Sequence, residues 1–302
     1  MPFARRCGVS PKQLLILSGK GGTGKTTIAS AFIKLSQARA YADCDVDAPN
    51  LHITAGWTKV PTRTDYYGLP RAEIDPEVCI GCDLCRQHCR FGAILVDETY
   101  RVDPFACEGC GVCAFVCPHE AIVMVPHVDG ELMLYADGKH VFSTAKLQMG
   151  SGTSGLLVTE VKKQMKEAAA KADLAIIDGS PGIGCPVIAS LSGVDLVLVV
   201  AEPSVSGISD MERIIDTAAK FGVKTLVCVN KYDTNPGGAS EIEEFCQSKQ
   251  LPFLDRIPFD TEAINLVNQG LSVVDVNCKA GRAIRNVYEQ TMDILFRQQE
   301  AE

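Results

Sequence analysis

The sequence predicts an α/β protein with a mostly parallel, doubly wound sheet, interrupted once by a smaller α+β unit. Three observations carry this. Short apolar runs alternate with helical stretches through the second half of the chain, the pattern of strands buried on both faces of a parallel sheet. A glycine-rich loop separates the first such run from an apolar helix. A cysteine-rich segment that repeats itself lies between these two parts. The expected organisation is one discontinuous domain, residues 1–56 and 127–302, with an insert at 57–126.

The first ten residues, MPFARRCGVS, read as a loose extension. Leu14-Leu15-Ile16-Leu17 is the first strand, SGKGGTGKTT (18–27) the loop, and about 26–37 the first helix. A short strand precedes Asp43-Cys44-Asp45-Val46-Asp47. After the insert, ELMLYADGKHVFSTAKL reads as a hairpin turning at Asp137-Gly138. Strand-like runs follow at Leu174–Ile177, Leu196–Ala201, Leu226–Val229 and Phe253–Ile257, with helices at about 158–171, 208–221 and 240–249. The last stretch, Ala280–Gln298, places Ile284, Val287, Ile294 and Leu295 at helical spacing. It reads as a closing helix packed on the core; its acidic end and few basic residues disfavour a membrane-surface helix.

Bulk chemistry narrows the function. A net charge of -8 and a pI near 5.2 disfavour a nucleic-acid partner. No apolar run approaches the roughly 18 residues of a membrane span, so no membrane anchor is expected. No separate apolar core and cleavage site follow the N-terminal arginines, so the expected location is cytoplasmic. Of 14 cysteines, eight fall into two regular groups, which favours ligation over disulfides.

GKGGTGKT (19–26) fits the phosphate-loop pattern G-x-x-x-x-G-K-[ST]. Gly19, Gly21, Gly22 and Gly24, with Thr23 between them, let backbone N–H groups turn inward around phosphate oxygens. The following helix adds its positive dipole end, through Thr27. Lys25 is expected on the β- and γ-phosphates and Thr26 on Mg²⁺.

With the additional Lys20, this loop resembles the deviant Walker A loop of the MinD/ParA/Mrp group of P-loop ATPases, to which the nitrogenase iron protein is related. The resemblance covers nearly the whole chain. It implies that Lys20 reaches across an ATP-dependent homodimer to the partner's nucleotide. It also implies that Asp45 in Asp43-Cys44-Asp45 positions the attacking water, with Asp47 as an alternative. By the same resemblance, Asp178 in Asp178-Gly179-Ser180-Pro181-Gly182 binds Mg²⁺ through water, and Gly182 senses the γ-phosphate. Asn230 would read the adenine, and Pro258-Phe259-Asp260 would pack on the base. Asn230-Lys231-Tyr232-Asp233 also fits the N-K-x-D pattern of guanine readers, so GTP stands beside ATP as an alternative.

Within the insert, VCIGCDLCRQHCRFGAI (78–94) aligns with ACEGCGVCAFVCPHEAI (106–122) at a spacing of 28 residues. Each half reads C-x₂-C-x₂-C-x₃-C, the bacterial two-cluster ferredoxin spacing, in which the fourth cysteine serves the other cluster. One [4Fe–4S] cluster is then expected on Cys79, Cys82, Cys85 and Cys117, the other on Cys107, Cys110, Cys113 and Cys89. Arg90 stands where the second half has Pro118, a departure that removes no ligand. Structural zinc is the competing reading of the C-x₂-C pairs. Cys185 lies seven residues after Asp178, where the nitrogenase iron protein carries a cluster ligand, and is a candidate for a bridging cluster; no second cysteine accompanies it.

The expected function is an ATPase, slow and stimulated by a partner. Its nucleotide state would be coupled to electron transfer, or to metal-cluster assembly, on a protein partner. The alternative is a MinD/ParA-type partner-binding or positioning switch in which the insert is a sensor or staple. An amidotransferase-type synthetase of the related cobyrinate group is the weaker expectation, because no glutaminase-like second domain is read in the sequence.

Overall fold

The computed structural model describes residues 11–57, 59–169 and 172–297. The expected N-terminal extension, with Cys7, lies outside the described residues.

β1 (Lys12–Leu17) is central, and α1 (Lys25–Ser36) follows the glycine loop. β2 (Ala40–Asp43), the single turn α2 (Leu51–Thr54) and β3 (Thr62–Tyr67) come next. The cysteine-rich segment contributes β4 (Arg71–Ile74), α3 (Leu84–His88), β5 (Ile94–Val96), β6 (Tyr100–Val102), α4 (Val112–Val116) and β7 (Ile122–Val125). The chain continues through β8 (Val128–Ala136), β9 (Val141–Leu147), α5 (Ser154–Ala168), β10 (Leu174–Asp178), α6 (Cys185–Leu191) and β11 (Leu196–Ala201). It closes with α7 (Val205–Lys220), β12 (Lys224–Asn230), α8 (Pro236–Ser248), β13 (Phe253–Ile257), α9 (Thr261–Asn268) and α10 (Lys279–Arg297).

The main sheet runs β13-β12-β11-β1-β10-β2-β9-β8-β3. Every pairing from β13 to β9 is parallel, and β8 and β3 extend the edge antiparallel. Alternation along β1 divides the core. Leu15 and Leu17 meet α5, α6, α7 and α8 on one face, and Leu14 and Ile16 meet α1 and α10 on the other. All four are fully buried, each worth roughly 2 kcal/mol of transfer free energy. α10 buries Ile284, Val287 and Leu295, as a closing helix should.

Three helices begin three or four residues earlier than the apolar pattern suggests. Ser204 accepts from the Gly207 N–H and starts α7; Asn235 accepts from the Gly238 N–H, with Pro236 in the first turn, and starts α8. α5 starts at Ser154 after Thr153, whose side chain makes no such cap. β3 has no apolar alternation, since only Tyr66 is buried. It falls inside the 57–126 span yet pairs with β8, with Tyr67 opposite Val128.

The cysteine-rich segment folds as two copies of one unit. β4 pairs with β7 and β5 with β6, both antiparallel. The register respects the repeat: Ile74 faces Ile122, and their counterparts 28 residues away, Val102 and Ile94, face each other. Ala72, Ile94 and Ile122 pack with Cys85 and Cys107 in a separate small core.

Candidate functional site

The glycine loop leaves the C-terminal end of the central strand β1, the position where open α/β sheets hold ligands. Gly24 caps α1 with φ of 91°, and a Cβ there would overlap the Asn230 amide, so the close approach of β12 requires glycine.

Two adjoining cavities meet at this loop and share Gly22, Gly24 and Thr27. The first, about 270 Å³, is lined by Ser18, Lys20 and the loop from Gly21 to Thr27, with Asp45, Asn50 and Pro181 opposite. The second, about 260 Å³, lies between Ile28, Asn230, Pro258, Phe259 and Ile284. A polar, glycine-walled chamber opening into an apolar one has the outline of a triphosphate joined to a base. A larger cavity of about 550 Å³, near Tyr41 and Trp57, contains none of the expected nucleotide residues.

Lys25 is buried and 2.5 Å from Asp178. Burial pulls the Lys25 ammonium down, but Asp178, with Asp43 and Asp45 behind it, reverses this and holds it above its usual value. The other Asp178 oxygen is buried with no partner, as is the Thr23 hydroxyl. The Lys25 ammonium also lies 3.4 Å from the Thr26 hydroxyl, and a carboxylate oxygen with spare lone pairs suits a hydrated Mg²⁺.

Asp45 lines the phosphate chamber; Asp47 is exposed and does not. Burial raises the Asp45 pKa, and Lys25 opposes the shift. Asp43, which sequence reasoning passed over, anchors the segment. It is fully buried and accepts three backbone N–H bonds, from Asp45, Asn50 and Leu51, each at 3.0 Å. Burial, then repulsion from Asp178, pushes its carboxyl up to about 7. Its signal was present in DCDVD, whose first aspartate ends an apolar strand.

Two expected residues face elsewhere. Gly19 packs against Asp210 of α7 and does not line the chamber, and the Gly182 N–H is donated to the Ser18 carbonyl at 3.1 Å. Lys20 reaches the rim but is tied back within its own chain, 3.0 Å from Glu202 and 3.0 Å from the Ser204 hydroxyl. Neither Glu202 nor Ser204 was expected, because nothing in their sequence marks them as partners of a residue so far back in the chain, 184 positions for Ser204.

The apolar chamber is braced from the end of β12. The Asp233 carboxylate accepts from the Phe259 N–H at 2.7 Å, which fastens the Pro258–Asp260 turn. That contact commits Asp233 to holding a turn of its own chain. Asn230 donates to the Thr23 carbonyl at 2.6 Å and accepts from the Lys231 N–H, so it also joins β12 to the glycine loop.

The cysteines surround two further small cavities. One is lined by Cys79, Cys82, Cys85 and Cys117, the other by Cys89, Cys107, Cys110 and Cys113. The fourth cysteine of each motif thus stands with the other motif's first three. The Ala93 N–H points at Cys89 Sγ at 3.4 Å. Burial raises the Cys85 and Cys113 thiols, and the neighbouring cysteines add to it. Among the described residues, no three His, Cys, Asp or Glu side chains converge closely enough for a single metal ion. Cys185 is exposed at the start of α6 and beside Gly155, apart from both cavities.

A family profile described as "CobQ/CobB/MinD/ParA nucleotide binding domain" matches residues 14–273. An uncharacterized protein of Methanocaldococcus jannaschii is 32% identical over 288 residues, covering 94% of this chain and 97% of its own. The solved structure of the septum site-determining protein MinD from Pyrococcus horikoshii, complexed with Mg-ADP, superposes with a TM-score of 0.57 at 18% identity, covering 95% of this chain and 98% of that one. MinD of Aquifex aeolicus, solved as a MinC:MinD cell division protein complex, gives 0.54 at 18% identity over 93% and 96% of the two chains. At such identities these structures speak for the fold. No helix among the described residues is long and apolar enough to cross a membrane.

Proposed function

The chain belongs to the CobQ/CobB/MinD/ParA family of nucleotide-binding proteins, and on that premise we propose that it is an ATP-hydrolysing dimerisation switch that acts on a partner protein. The observation that carries this reading is the arrangement around Lys25: a two-chambered cavity, a buried Lys25–Asp178 pair with one unpartnered carboxylate oxygen, and Asp45 across the phosphate chamber. Lys25 and the loop amides would hold the phosphates. Thr26, and Asp178 through water, would hold Mg²⁺, which would neutralise charge on the transferring phosphate. Asp45 would orient the attacking water. Lys20 would leave Glu202 and Ser204 to reach the second copy's nucleotide, and the Gly182 N–H would exchange the Ser18 carbonyl for a γ-phosphate oxygen. ATP is favoured over GTP because Asp233 is engaged by Phe259. Partner binding rests on the likeness to MinD, which is solved with MinC.

A second reading extends the first. The cysteine-rich unit, as an insert spanning about 68–127 once β3 is counted with the main sheet, would hold two [4Fe–4S] clusters. Supporting it are four thiols that stand around a cavity in each crossed set. A polynuclear cluster holds its sulfurs apart by its own width, whereas zinc draws four donors to about 2.3 Å from one point. The clusters would supply one-electron redox chemistry. The switch would then gate electron delivery to the partner protein, or cluster assembly on it.

The test is hydrolysis of ATP and of GTP by wild type, Lys20→Ala and Lys25→Ala, with iron analysis of the same anaerobic samples. ATP hydrolysis lost in Lys25→Ala and weakened in Lys20→Ala, with about eight iron atoms retained per chain, is the expected result. Full activity in Lys20→Ala removes the cross-dimer role. A strong GTP preference removes the ATP assignment. Absence of iron removes the second reading alone.

A further inference from the structure

One buried charged pair lines neither the nucleotide-loop cavities nor the cysteine cavities. Arg71 on β4 and Asp129 on β8 are 2.9 Å apart, and Asp129 is 1% exposed. Replacing such a pair with apolar residues often stabilises a protein, so its presence is weak evidence for stability and asks for another reason.

Arg71 holds two things at once. Its Nη2 donates to Asp129, and its Nη1 donates to the backbone carbonyls of Pro104 and Cys107. Those carbonyls belong to the second cysteine motif. The repeat makes the comparison internal: 28 residues on from Arg71 stands Thr99, and among the described residues no arginine serves Pro76 and Cys79 as Arg71 serves Pro104 and Cys107. Among the described residues, no hydrogen bond or ion pair joins 76–90 to the main sheet or to α5. The two motifs match in backbone and differ in this attachment.

From Asp129 a set of contacts leads to the nucleotide loop. Asp129 faces the Thr153 hydroxyl at the start of α5. Gly68 lies where any Cβ would overlap the Asp129 carboxylate and crowd Thr153. Two residues on, Gly155 sits so close to Cys185 that a Cβ would be 3.1 Å from Cys185 Cβ, which fixes the start of α5 against the start of α6. At the other end of α6, Lys162 of α5 donates to the carbonyls of Ala189, Ser190 and Ser192. α5 therefore grips α6 at both ends. α6 begins three residues after Gly182, whose N–H is bonded to Ser18.

We infer that Arg71 is a positioning residue that joins the nucleotide-sensing loop to the second cysteine motif, through Asp129, α5 and α6, and leaves the first motif unjoined. This rests on the cluster reading above. When the Gly182 loop moves, α6 and α5 move as one body, and the Arg71 fork transmits the displacement to the Cys107 loop. The cluster on Cys89, Cys107, Cys110 and Cys113 then changes its hydrogen bonding and its distance from a buried cation, both of which set its potential. The cluster on Cys79, Cys82, Cys85 and Cys117 does not. The coupling lies in different contacts in the two nucleotide states.

The test uses the iron-loaded full chain with ADP and with a non-hydrolysable ATP analogue. EPR-monitored redox titration reads both clusters, and Cys110→Ser identifies the second by its altered signal. The expected result is a several-fold change in the reduction equilibrium of the second cluster and none in the first; tenfold corresponds to about 59 mV. In Arg71→Met the iron content and ATP hydrolysis stay at wild-type levels and the nucleotide-dependent change disappears. A wild-type change in both clusters or in neither, or one that survives in Arg71→Met, overturns the joint. Should Arg71→Met lose iron, Asp129→Asn decides, since it leaves the guanidinium and its carbonyl bonds in place. Hydrogen exchange on the unmodified protein gives an independent reading. Amides 105–110 should change with nucleotide while 77–82 do not, and unchanged amides at 105–110 overturn the proposal. A wild type that binds no iron refutes the cluster reading, and the exchange comparison at 105–110 still decides the joint.

Discussion

Lys25 lies in a buried position that its charge occupies only because Asp178 is 2.5 Å away. Removing one member of such a pair leaves the other uncompensated, at about 3 kcal/mol or more. Asp178→Ala should therefore lower the urea-unfolding free energy of the nucleotide-free protein by roughly 3 kcal/mol; a loss under about 1 kcal/mol would mean that solvent already reaches the ammonium. Lys20 is different. Its pair with Glu202 is partly exposed and worth no more than about 1 kcal/mol. Glu202→Ala should leave stability nearly unchanged while lowering the ATP concentration for half-maximal dimerisation by up to about fivefold, since 1 kcal/mol is that factor. A higher concentration requirement would show that Glu202 assists closure and does not restrain Lys20. Asp233 fastens the Phe259 turn. Asp233→Asn should weaken ATP binding without any gain in GTP binding, checked by calorimetry with both nucleotides; a large effect on GTP alone would return Asp233 to the role of guanine reader.

At the scale of elements, Lys162 ties α5 to the end of α6. Burial lowers its ammonium to about 8, below the usual value of 10.5. The unfolded chain then holds the proton more tightly, so between about pH 8 and 10.5 the unfolded state binds more protons and this group's contribution to stability rises with pH. Lys162→Met should abolish that rise and leave the α6 carbonyls unpaired, at a cost of about 2 kcal/mol near neutral pH. Unfolding free energies at pH 7 and 9.5 check both; an unchanged slope would place the titration elsewhere.

Which elements the sequence revealed follows the physics that formed them. β1, β10 and β11 are buried on both faces, so continuous apolar runs announced them. α1 was marked by the loop that nucleates it. α5, α7 and α8 were recognised, but their first turns were missed where polar caps, not apolar faces, begin the helix. β3 went unseen because an exposed edge strand needs only one inward residue, Tyr66. At the site, the glycine-loop pattern, the likeness of the D-x-D segment and the repeated cysteine spacing led to Lys25, Asp45 and the cysteines, which the fold places around cavities. Asp43, Glu202, Arg71 and Asp129 were not, because their partners are chosen by tertiary contact across long stretches of chain.

At the scale of the molecule, the cysteine-rich unit departs from Tyr67 and returns at Val128, which are register partners at the sheet edge. A two-residue turn in place of 68–127 should close a hairpin there. With Asp129→Asn to relieve the lost arginine, the shortened chain should still bind ATP and hold no iron. Failure to bind ATP, measured by calorimetry, would show that the two parts share one folding unit. The central claim is that ATP makes two copies into one enzyme, and the most direct measurement is the mass of the iron-loaded protein by light scattering, with ADP and then with a non-hydrolysable ATP analogue. The predicted result is one chain's mass with ADP, two chains' with the analogue, and one chain's with both in Lys20→Ala. A mass that ignores the nucleotide, or a Lys20→Ala variant that doubles as the wild type does, would contradict the account.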